Sequence, residues 1–368
     1  MKVLITGGLG FVGQNLDLRL KEQGFSSLLF DKDNTSEELE VMIEQADFIV
    51  HLAGVNRPLN KEEFYSGNAN LTYTLTELIK KHKKNIPLIF SSSIQAELDN
   101  DYGKSKRQGE DYLVKYKKET GNDVFIFRLP NLFGKWSRPN YNSVVATFCY
   151  NVARDLPLTI SNPNYELELA HIDDVVDAFI NVIENGSNET YNTIAITHTV
   201  TLGRLAELIN SFKESRKSLY LPFVGDAFIE KLYATYLTYL DENDFAYKVK
   251  SHVDDRGSFT ELFKTLGYGQ FSVNVAKPGI TKGNHYHHTK NEKFIVLSGV
   301  GIIKLRHVNS DKTVLIPVSG EDLTIVDMIP GYTHSIINTG KADLVFFIWG
   351  SENYDPNRPD TVFKKVEI

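Results

Sequence analysis

The sequence has little of what several protein classes require. Its single cysteine, Cys149, excludes disulfides within the chain and cysteine-rich metal sites, and apolar neighbours predict that it is a core residue. The formal net charge is -7 and no block of Lys and Arg is present, which argues against nucleic acid binding. No apolar run reaches membrane-spanning length, and no signal-peptide pattern follows Met1. We therefore expect a cytoplasmic protein without a nucleic acid or membrane partner.

The length and the period of the apolar pattern predict two domains. A chain of 368 residues is longer than most single domains. Up to about residue 245, short apolar runs alternate with helical stretches, which is typical of a Rossmann-type, doubly wound parallel α/β sheet. From about residue 250, strand-like runs are separated by Gly, Pro, Asn and Asp turns, which predicts an all-β antiparallel barrel or sandwich. We place the domains at 1–247 and 248–368.

A glycine-rich segment, Thr6-Gly7-Gly8-Leu9-Gly10-Phe11-Val12-Gly13, follows the first predicted strand. Gly7 permits a tight turn, Gly10 lets the backbone approach a pyrophosphate, and Gly13 lets the following helix pack closely. The position between a strand and a helix favours a dinucleotide site, with the phosphates at the helix N-terminus, over an ordinary turn.

The end of the second predicted strand bears on the choice of dinucleotide. Asp31 stands where an acidic residue normally binds the adenosine 2'-hydroxyl, which favours NAD. Lys32, the next residue, is suited to a 2'-phosphate. The sequence leaves the choice between NAD and NADP open.

Tyr102 and Lys106 are four residues apart, so they share one face of a predicted helix. The ammonium group would stabilise the phenolate of Tyr102, whose ordinary pKa of about 10 is too high for proton exchange near neutral pH. The preceding strand ends in Ser93, whose hydroxyl can hold the same substrate oxygen. The three residues predict hydride transfer to or from a carbonyl.

The N-terminal part resembles the extended short-chain dehydrogenase/reductase family, whose members mostly act on nucleotide-activated sugars. The matching segments are 6–13, 51–54, Ser93, Tyr102, Lys106, 128–134 and 171–175. The resemblance implies that Tyr102 is the acid/base, Lys106 its pKa partner and nicotinamide-ribose contact, and Ser93 the carbonyl holder. The cofactor contacts that we expect are Gly7, Gly10, Phe11, Val12, Gly13, Asp31, Lys32, Leu52, Ala53, Gly54 and Lys106.

The sequence lacks the acid/base pair that dehydration of a nucleotide sugar requires. Nucleotide-sugar 4,6-dehydratases of the family carry an Asp-Glu pair just after the catalytic hydroxyl residue, whereas Ser93 is followed by Ile94 and Gln95. Reduction of a ketone, or 4-epimerisation, remains.

The C-terminal part contains an array of metal-ligand residue types: His285, His287, Glu292 and His334. His285 and His287 alternate along a strand and so point to the same face, while Glu292 begins the next strand. Three imidazoles and one carboxylate suit Zn, Fe, Mn or Ni. The surrounding glycines and spacing resemble both cupin motifs, which implies a cupin β-barrel. A purely structural metal stays an alternative.

A second resemblance, to the sugar-nucleotide 3,5-epimerases, covers the same region through Asp254-x-Arg256-Gly257-x-Phe259-x-Glu261, Lys282-Gly283-Asn284-His285-Tyr286 and Lys293. It implies that Arg256 contacts the diphosphate, that His285 abstracts a proton and that Lys293 stabilises the enolate. A base at His285 conflicts with a ligand at His285. Because the other three ligands are present, we favour ligation, which leaves the base unassigned; His288 is a candidate, with an exposed surface histidine as the alternative.

The order of the two parts resembles, from end to end, the CapF-type bifunctional enzymes of capsule and O-antigen synthesis. The resemblance implies a UDP-2-acetamido-2,6-dideoxy-4-hexulose substrate, the product UDP-N-acetyl-6-deoxy-L-talosamine on the way to UDP-N-acetyl-L-fucosamine, NADPH, zinc and a homodimer. Asp31 leaves NADH open, and another divalent metal is not excluded. The substrate contacts that we expect are Asn131, Lys135, Arg138, Arg256 and Lys293. Lys135 and Arg138 have the alternative of facing water.

Three hypotheses follow. In the first, the cupin inverts C3 and the Rossmann domain reduces the C4 ketone of one substrate. In the second, a single-site nucleotide-sugar reductase or 4-epimerase carries a structural or dimerising cupin. The third is a non-catalytic dinucleotide sensor, against which Tyr102 and Lys106 argue.

Overall fold

The chain forms two compact units in the computed structural model, which describes residues 1–58, 60–82 and 84–367. The first unit is Met1–Asn210 with Ala227–Asp241, and the second is Ser211–Asp226 with Glu242–Ile368. Each unit therefore consists of two separate stretches of the chain. The independent domains that we expect at 1–247 and 248–368 stay a prediction.

The first unit alternates strands and helices along the chain. The strands are β1 (Lys2–Thr6), β2 (Ser26–Phe30), β3 (Phe48–His51), β4 (Leu88–Ser93), β5 (Val124–Leu129), β6 (Asn131–Phe133), β7 (Glu166–His171), β8 (Tyr191–Asn192) and β9 (His198–Thr201). The helices are α1 (Phe11–Glu22), α2 (Ser36–Gln45), α3 (Glu62–Phe64), a π-helix (Tyr65–Asn70), α4 (Leu71–Lys81), a 3₁₀ helix (Ile94–Glu97), α5 (Asp101–Thr120), α6 (Val144–Ala153), α7 (Ile172–Asn185), α8 (Leu202–Ser218) and α9 (Ala227–Leu237). Helix α8 ends among residues of the second unit.

The main sheet of the first unit is parallel and has the order β2-β1-β3-β4-β5-β8. Every residue of β3 and β4 is buried, because helices cover both faces of the sheet. Alternate residues serve the two faces: Val3 and Ile5 pack towards α1 and α7, whereas Leu4 packs towards α2, α4 and α5. This arrangement confirms the predicted doubly wound parallel sheet. The other three strands named above form a smaller sheet with the order β6-β7-β9.

An internal ion pair joins α5 to the sheet. The Glu110 carboxylate on α5 is 1% exposed. It accepts two hydrogen bonds from Arg128 of β5, one from Nε at 2.9 Å and one from Nη2 at 2.6 Å. Ser92 of β4 also donates to this carboxylate. Helix α5 itself begins after Asn100, which accepts the Gly103 amide, and ends at Gly121 with a positive φ of 76°. The ends of α5 and its position over β4 and β5 are thus fixed by separate contacts.

The second unit consists mostly of antiparallel strands. They are β10 (Ser251–Asp254), β11 (Gly257–Lys264), β12 (Gln270–Ala276), β13 (Thr281–Tyr286), β14 (Glu292–Ser298), β15 (Val300–His307), β16 (Thr313–Ser319), β17 (Ile325–Met328), β18 (Tyr332–Asn338), β19 (Leu344–Gly350) and β20 (Val362–Phe363), with a 3₁₀ helix at Glu242–Asp244. The other segment of this unit, Ser211–Asp226, joins the strands through Lys264. The Lys264 amide donates to the Leu219 carbonyl, and the Lys264 carbonyl accepts the Leu221 amide, each at 2.8 Å.

These strands form two sheets, β10-β11-β12-β19-β14-β17 and β16-β15-β18-β13-β20, with antiparallel pairing throughout. Apolar residues of both sheets, such as Phe294, Ile303 and Phe346, share one core. The antiparallel all-β part of the prediction is confirmed. Among the described residues the sheets remain separate, so a closed cupin barrel is not seen. No described helix is long and apolar enough to cross a membrane.

We predict that Arg128→Ala destabilises the protein by about 3 kcal/mol, because it leaves the Glu110 carboxylate buried without its cation. Thermal and denaturant unfolding would measure the loss. The control is Arg204→Ala, which removes an exposed partner of Glu207 and should leave unfolding unchanged. Equal behaviour of the two variants would contradict the prediction.

Candidate functional site

The order of the parallel sheet creates a crevice at its carboxyl edge. The chain runs outward from β1 to β2 in one direction and to β3, β4 and β5 in the other. At such a switch point the loops after the two central strands diverge and leave room for a ligand. The glycine segment follows β1, and Leu52, Ala53 and Gly54 follow β3. The structure therefore brings both predicted cofactor-binding loops to one place.

The glycine loop leaves no space for side chains at two positions. Gly7 has a φ of 72°, and a Cβ there would lie 2.8 Å from the Ala53 nitrogen. A Cβ at Gly13 would collide with the carbonyl oxygens of Gly7 and Gly8. Gly10 precedes α1, and no side chain caps the first amides of that helix. Free helix amides together with a cradle of this kind fit a dinucleotide pyrophosphate.

Asp31 lies beside this loop, as predicted. Its carboxylate accepts the Leu9 amide at 3.0 Å and the Lys32 amide at 2.8 Å. The Lys32 side chain is exposed. Phe11 and Val12 are half-buried and pack onto the core below the loop. The loop thus presents one anionic and one cationic side chain side by side at the end of β2.

A buried hydrogen-bonded chain fixes the second cofactor loop. Thr6 Oγ1 lies 2.6 Å from His51 Nδ1, and His51 Nε2 lies 3.0 Å from Thr72 Oγ1. Thr6 also accepts the Ala53 amide at 3.3 Å. Burial, together with the Lys106 ammonium, lowers the pKa of His51 to about 3. His51 is therefore a neutral spacer, and the sequence interpretation did not single out its two threonine partners.

Tyr102 and Ser93 meet where α5 begins and β4 ends. Burial raises the pKa of Tyr102, and the Ser93 hydroxyl, which hydrogen-bonds the phenol, offsets only part of that rise. Ser93 is 8% exposed and also accepts the Gln95 amide at 3.2 Å. The phenol and the hydroxyl can therefore contact a single substrate oxygen.

Lys106 lies one turn further along α5 and is 4% exposed. Its Nζ donates to the Ser91 carbonyl at 3.0 Å, and burial lowers its pKa to about 8 although Glu110 opposes the shift. A Cβ at Gly54 would lie 3.1 Å from this Nζ, so the lysine adjoins the cofactor loop. The expected lowering of the Tyr102 pKa by Lys106 is not seen, because burial of the phenol dominates.

Asn68, which the sequence interpretation missed, holds this region together. Its Oδ1 accepts the Val55 amide at 2.8 Å, while its Nδ2 donates to the Val55 carbonyl at 3.2 Å and to Ser105 Oγ at 3.0 Å. Asn68 belongs to the π-helix, and such segments often occur at functional sites. Its side chain links the cofactor loop to α5.

The three substrate contacts expected in the first unit have different surroundings. Asn131 is exposed, with Nδ2 3.4 Å from the Glu168 carbonyl. Lys135 forms an ion pair with Asp173 at 2.7 Å. Arg138 is exposed and lies over the Tyr141 ring at 5.5 Å. The roles of these three residues stay predictions.

In the second unit the four predicted metal ligands lie together. His285 of β13 pairs with His334 of β18 across the strands, and Glu292 begins β14. One ligand atom from each of the four residues lies within 4.8 Å of the others. Three of the four are buried and His285 is half-buried. The strands therefore assemble one compact cluster from segments that are distant in sequence.

The electrostatics of this cluster fit a divalent cation. His287 Nε2 and His334 Nε2 are buried without a hydrogen-bond partner, and each lies 3.5 Å from Glu292 Oε2. Burial opposes ionisation of Glu292, yet the two imidazoles and Lys290 hold its pKa well below the usual range. Burial lowers the pKa of His285 to about 4. Imidazole nitrogens and a carboxylate oxygen that converge on one point are a donor set that divalent metals bind.

Two contacts around the cluster were not predicted. His287 Nδ1 donates to the Asp360 carbonyl, and Lys290 Nζ lies 2.7 Å from Glu292 Oε1. Lys293, which we expected to serve the reaction, faces the other way, because successive residues of a strand point to opposite faces. It is exposed and pairs with Asp327. The structure therefore replaces Lys293 with Lys290 as the lysine beside the cluster.

Arg256 and His288 are not among the four residues of the cluster. Arg256 is exposed and pairs with Asp254 at 2.7 Å. It lines a pocket of about 510 Å³ together with Lys282 and Phe259. His288 is exposed, with its ring 5.4 Å from Tyr286. The role of His288 as a base stays a prediction.

Both parts of the chain match described families. Residues 3–194 match the NAD dependent epimerase/dehydratase family, and residues 252–362 match the Polysaccharide biosynthesis C-terminal domain. The two matches cover the unit with the glycine loop and the unit with the imidazole cluster.

Several relatives match almost the whole chain. The chain is 47% identical over 363 residues to the UDP-2-acetamido-2,6-beta-L-arabino-hexul-4-ose reductase of Pseudomonas aeruginosa, covering 98% of each protein. Capsular polysaccharide assembling protein CapF from Staphylococcus aureus matches with a TM-score of 0.94 and 48% identity over 99% of this chain and 100% of that one. CapF with the inhibitor 3-isopropenyl-tropolone matches with a TM-score of 0.89 and 43% identity over the same shares. The chain is a close homologue of these proteins, which confirms the predicted resemblance.

We predict that Lys106→Met stabilises the fold near neutral pH by about 2 kcal/mol, because the native protein then buries no ammonium. The cost of that charge is present in full below the folded pKa of about 8 and disappears as the pH approaches the ordinary value of 10.5. The gain in the thermal midpoint should therefore shrink at high pH. Lys115→Met, an exposed position on α5, is the control. A gain that does not change with pH would contradict the prediction.

Proposed function

This chain belongs to the NAD dependent epimerase/dehydratase family, and from that premise we propose that it is a two-site nucleotide-sugar enzyme. The second unit inverts C3 of a UDP-2-acetamido-2,6-dideoxy-4-hexulose, and the first unit reduces its C4 ketone with NADPH. The product is UDP-N-acetyl-6-deoxy-L-talosamine, on the way to UDP-N-acetyl-L-fucosamine for capsule or O-antigen. One observation carries the proposal: the chain that holds Ser93, Tyr102 and Lys106 also holds four converging metal-ligand side chains.

The relatives support the substrate and the reduction. The Pseudomonas aeruginosa protein is named as a reductase of a hexul-4-ose, which carries a ketone at C4. CapF is named for capsular polysaccharide assembly. Identity near one half over almost the full length favours the same substrate class for this chain.

The reduction uses the first unit. When bound, a nicotinamide cofactor supplies the hydride that C4 receives. Tyr102 and Ser93 hold the ketone oxygen, and Tyr102 donates the proton that the new alcohol needs. The phenol is protonated near neutral pH and so carries the proton that the reduction consumes, although burial raises its pKa. Lys106 holds a positive charge beside the cofactor loop.

The resemblance to the CapF-type enzymes supports NADPH, whereas the end of β2 leaves NADH open. The Asp31 oxygens accept the amides of Leu9 and Lys32, while the Lys32 side chain extends into solvent. A 2'-phosphate bound there would contact Lys32, whereas a 2'-hydroxyl would contact Asp31. NADH stays the alternative, which rates with the two reductants distinguish.

The epimerisation uses the second unit. The C4 ketone acidifies the proton on C3, and a divalent metal held by His285, His287, Glu292 and His334 would polarise that ketone. Lys290 keeps a positive charge next to the cluster, where the enolate charge develops. Arg256 and Lys282 are suited to the diphosphate of the nucleotide.

Closure of the two sheets as a cupin barrel, zinc as the metal, homodimer assembly and a cytoplasmic reaction belong to the same proposal. The antiparallel pairing of the strands and the buried imidazoles support the cupin and the zinc. The resemblance to the CapF-type enzymes supports the dimer.

We predict that Tyr102→Phe lowers the rate of C4 reduction by about a thousandfold, because the proton donor is lost. Exchange of the C3 proton with solvent should continue. Proton NMR of the UDP-4-keto-6-deoxy sugar in deuterated water, first without and then with NADPH, measures both events. Tyr112→Phe on the same helix, where the phenol accepts from Gln108, is the control. Loss of exchange along with reduction would count against two separate sites.

We predict that His334→Ala abolishes C3 exchange but leaves reduction of an already epimerised substrate unchanged. The variant removes a ligand from the cluster and changes no residue of the first unit's site. His307→Ala, an exposed histidine of β15, is the control. Undiminished exchange in His334→Ala would leave a single-site reductase with a structural metal cluster.

A further inference from the structure

A carboxylate near the C-terminus clamps the loop that follows His287. Asp360 Oδ1 accepts the His288 amide at 2.8 Å, and Oδ2 accepts the amides of Thr289 at 2.7 Å and Lys290 at 2.8 Å. The Thr289 hydroxyl lies 3.1 Å from the same Oδ2. One side chain thus satisfies three consecutive backbone donors, which fixes the path of the loop relative to the C-terminal segment.

The backbone carbonyl of Asp360 determines that Nδ1 of His287 carries a hydrogen. Its carbonyl oxygen can only accept, so His287 Nδ1 must carry the hydrogen that it donates there. In the neutral ring Nε2 then carries the lone pair, and Nε2 is the buried nitrogen that lacks a hydrogen-bond partner and faces Glu292. A backbone carbonyl bound to the far nitrogen of a ligating histidine fixes both tautomer and ring orientation.

The clamp also reaches the carboxylate of the cluster. Lys290, whose amide Asp360 holds, is 14% exposed in its side chain and places Nζ 2.7 Å from Glu292 Oε1. The other oxygen, Oε2, faces the Nε2 atoms of His287 and His334 at 3.5 Å. The ammonium therefore determines which oxygen of Glu292 points towards the imidazoles.

We propose that Asp360 is the positioning residue of the metal cluster, acting on His287 through its carbonyl and on Glu292 through Lys290. The inference rests on the proposed metal-binding function of the second unit. Asp360 lies outside the ligand pattern and contacts none of the four Nε2 or carboxylate atoms that face one another. Its effect is to preorganise two of the four ligands before a cation binds.

The test measures metal binding without turnover. Full-length apoprotein is titrated with Co²⁺, whose visible absorption reports coordination, and Zn²⁺ affinity is measured by chelator competition. The variants are Asp360→Ala, which removes the clamp, and Asp360→Asn, which keeps an acceptor of similar size. Asp355→Ala is the control, because Asp355 lies in the same segment and its carboxylate accepts the amide of Asn357 within its own turn.

The expected result is a loss of Zn²⁺ affinity of about 10- to 100-fold in Asp360→Ala, with an altered Co²⁺ spectrum. Asp360→Asn should recover part of both, and Asp355→Ala should match the unmodified protein. Unchanged affinity and spectrum in the two Asp360 variants would overturn the inference while leaving the metal site intact. If the unmodified protein binds neither ion, the metal assignment itself fails. If Asp360→Ala does not fold, Asp360→Asn decides by the same two measurements.

Discussion

Lys106 and Glu110 lie one helical turn apart on α5, and both are almost fully buried. Two opposite charges in such surroundings persist only where each has further partners, because desolvation of an isolated charge is costly. Glu110 has Arg128 and Ser92, and Lys106 has the Ser91 carbonyl. The contacts of Glu110 with Arg128 and Ser92 hold α5 over β5 and β4. The meeting of Tyr102 with Ser93 is a consequence of that attachment.

The second unit also buries polar side chains in its core. The imidazoles of His287 and His334 keep one ring nitrogen each without a hydrogen bond, which is unfavourable for the fold alone. Cross-strand pairing and the surrounding apolar core hold the rings in place despite that cost. The folded protein therefore holds these ligand side chains in place before a cation binds.

Part of this organisation follows from the sequence because it depends on local geometry. A glycine segment after the first strand, alternation of His285 and His287, and the change of apolar period each constrain the backbone directly. Asn68, Thr72 and Asp360 were not predicted, since their partners come from other elements and no spacing marks them. The raised pKa of Tyr102 depends on burial, which the four-residue spacing to Lys106 does not describe. Lys293 is exposed and pairs with Asp327, and the role that a family resemblance implied for it stays a prediction.

The segment Ser211–Asp226 belongs to the second unit although Ala227–Asp241, which follows it, belongs to the first. The chain therefore passes from one unit to the other three times. Recombination at a single point in the gene cannot exchange either unit as a module. A crossover before Ser211 separates Ala227–Asp241 from the rest of the first unit, and a crossover after Asp241 separates Leu219 and Leu221 from Lys264. Variation in substrate preference among relatives of this architecture should then arise from substitutions within each unit.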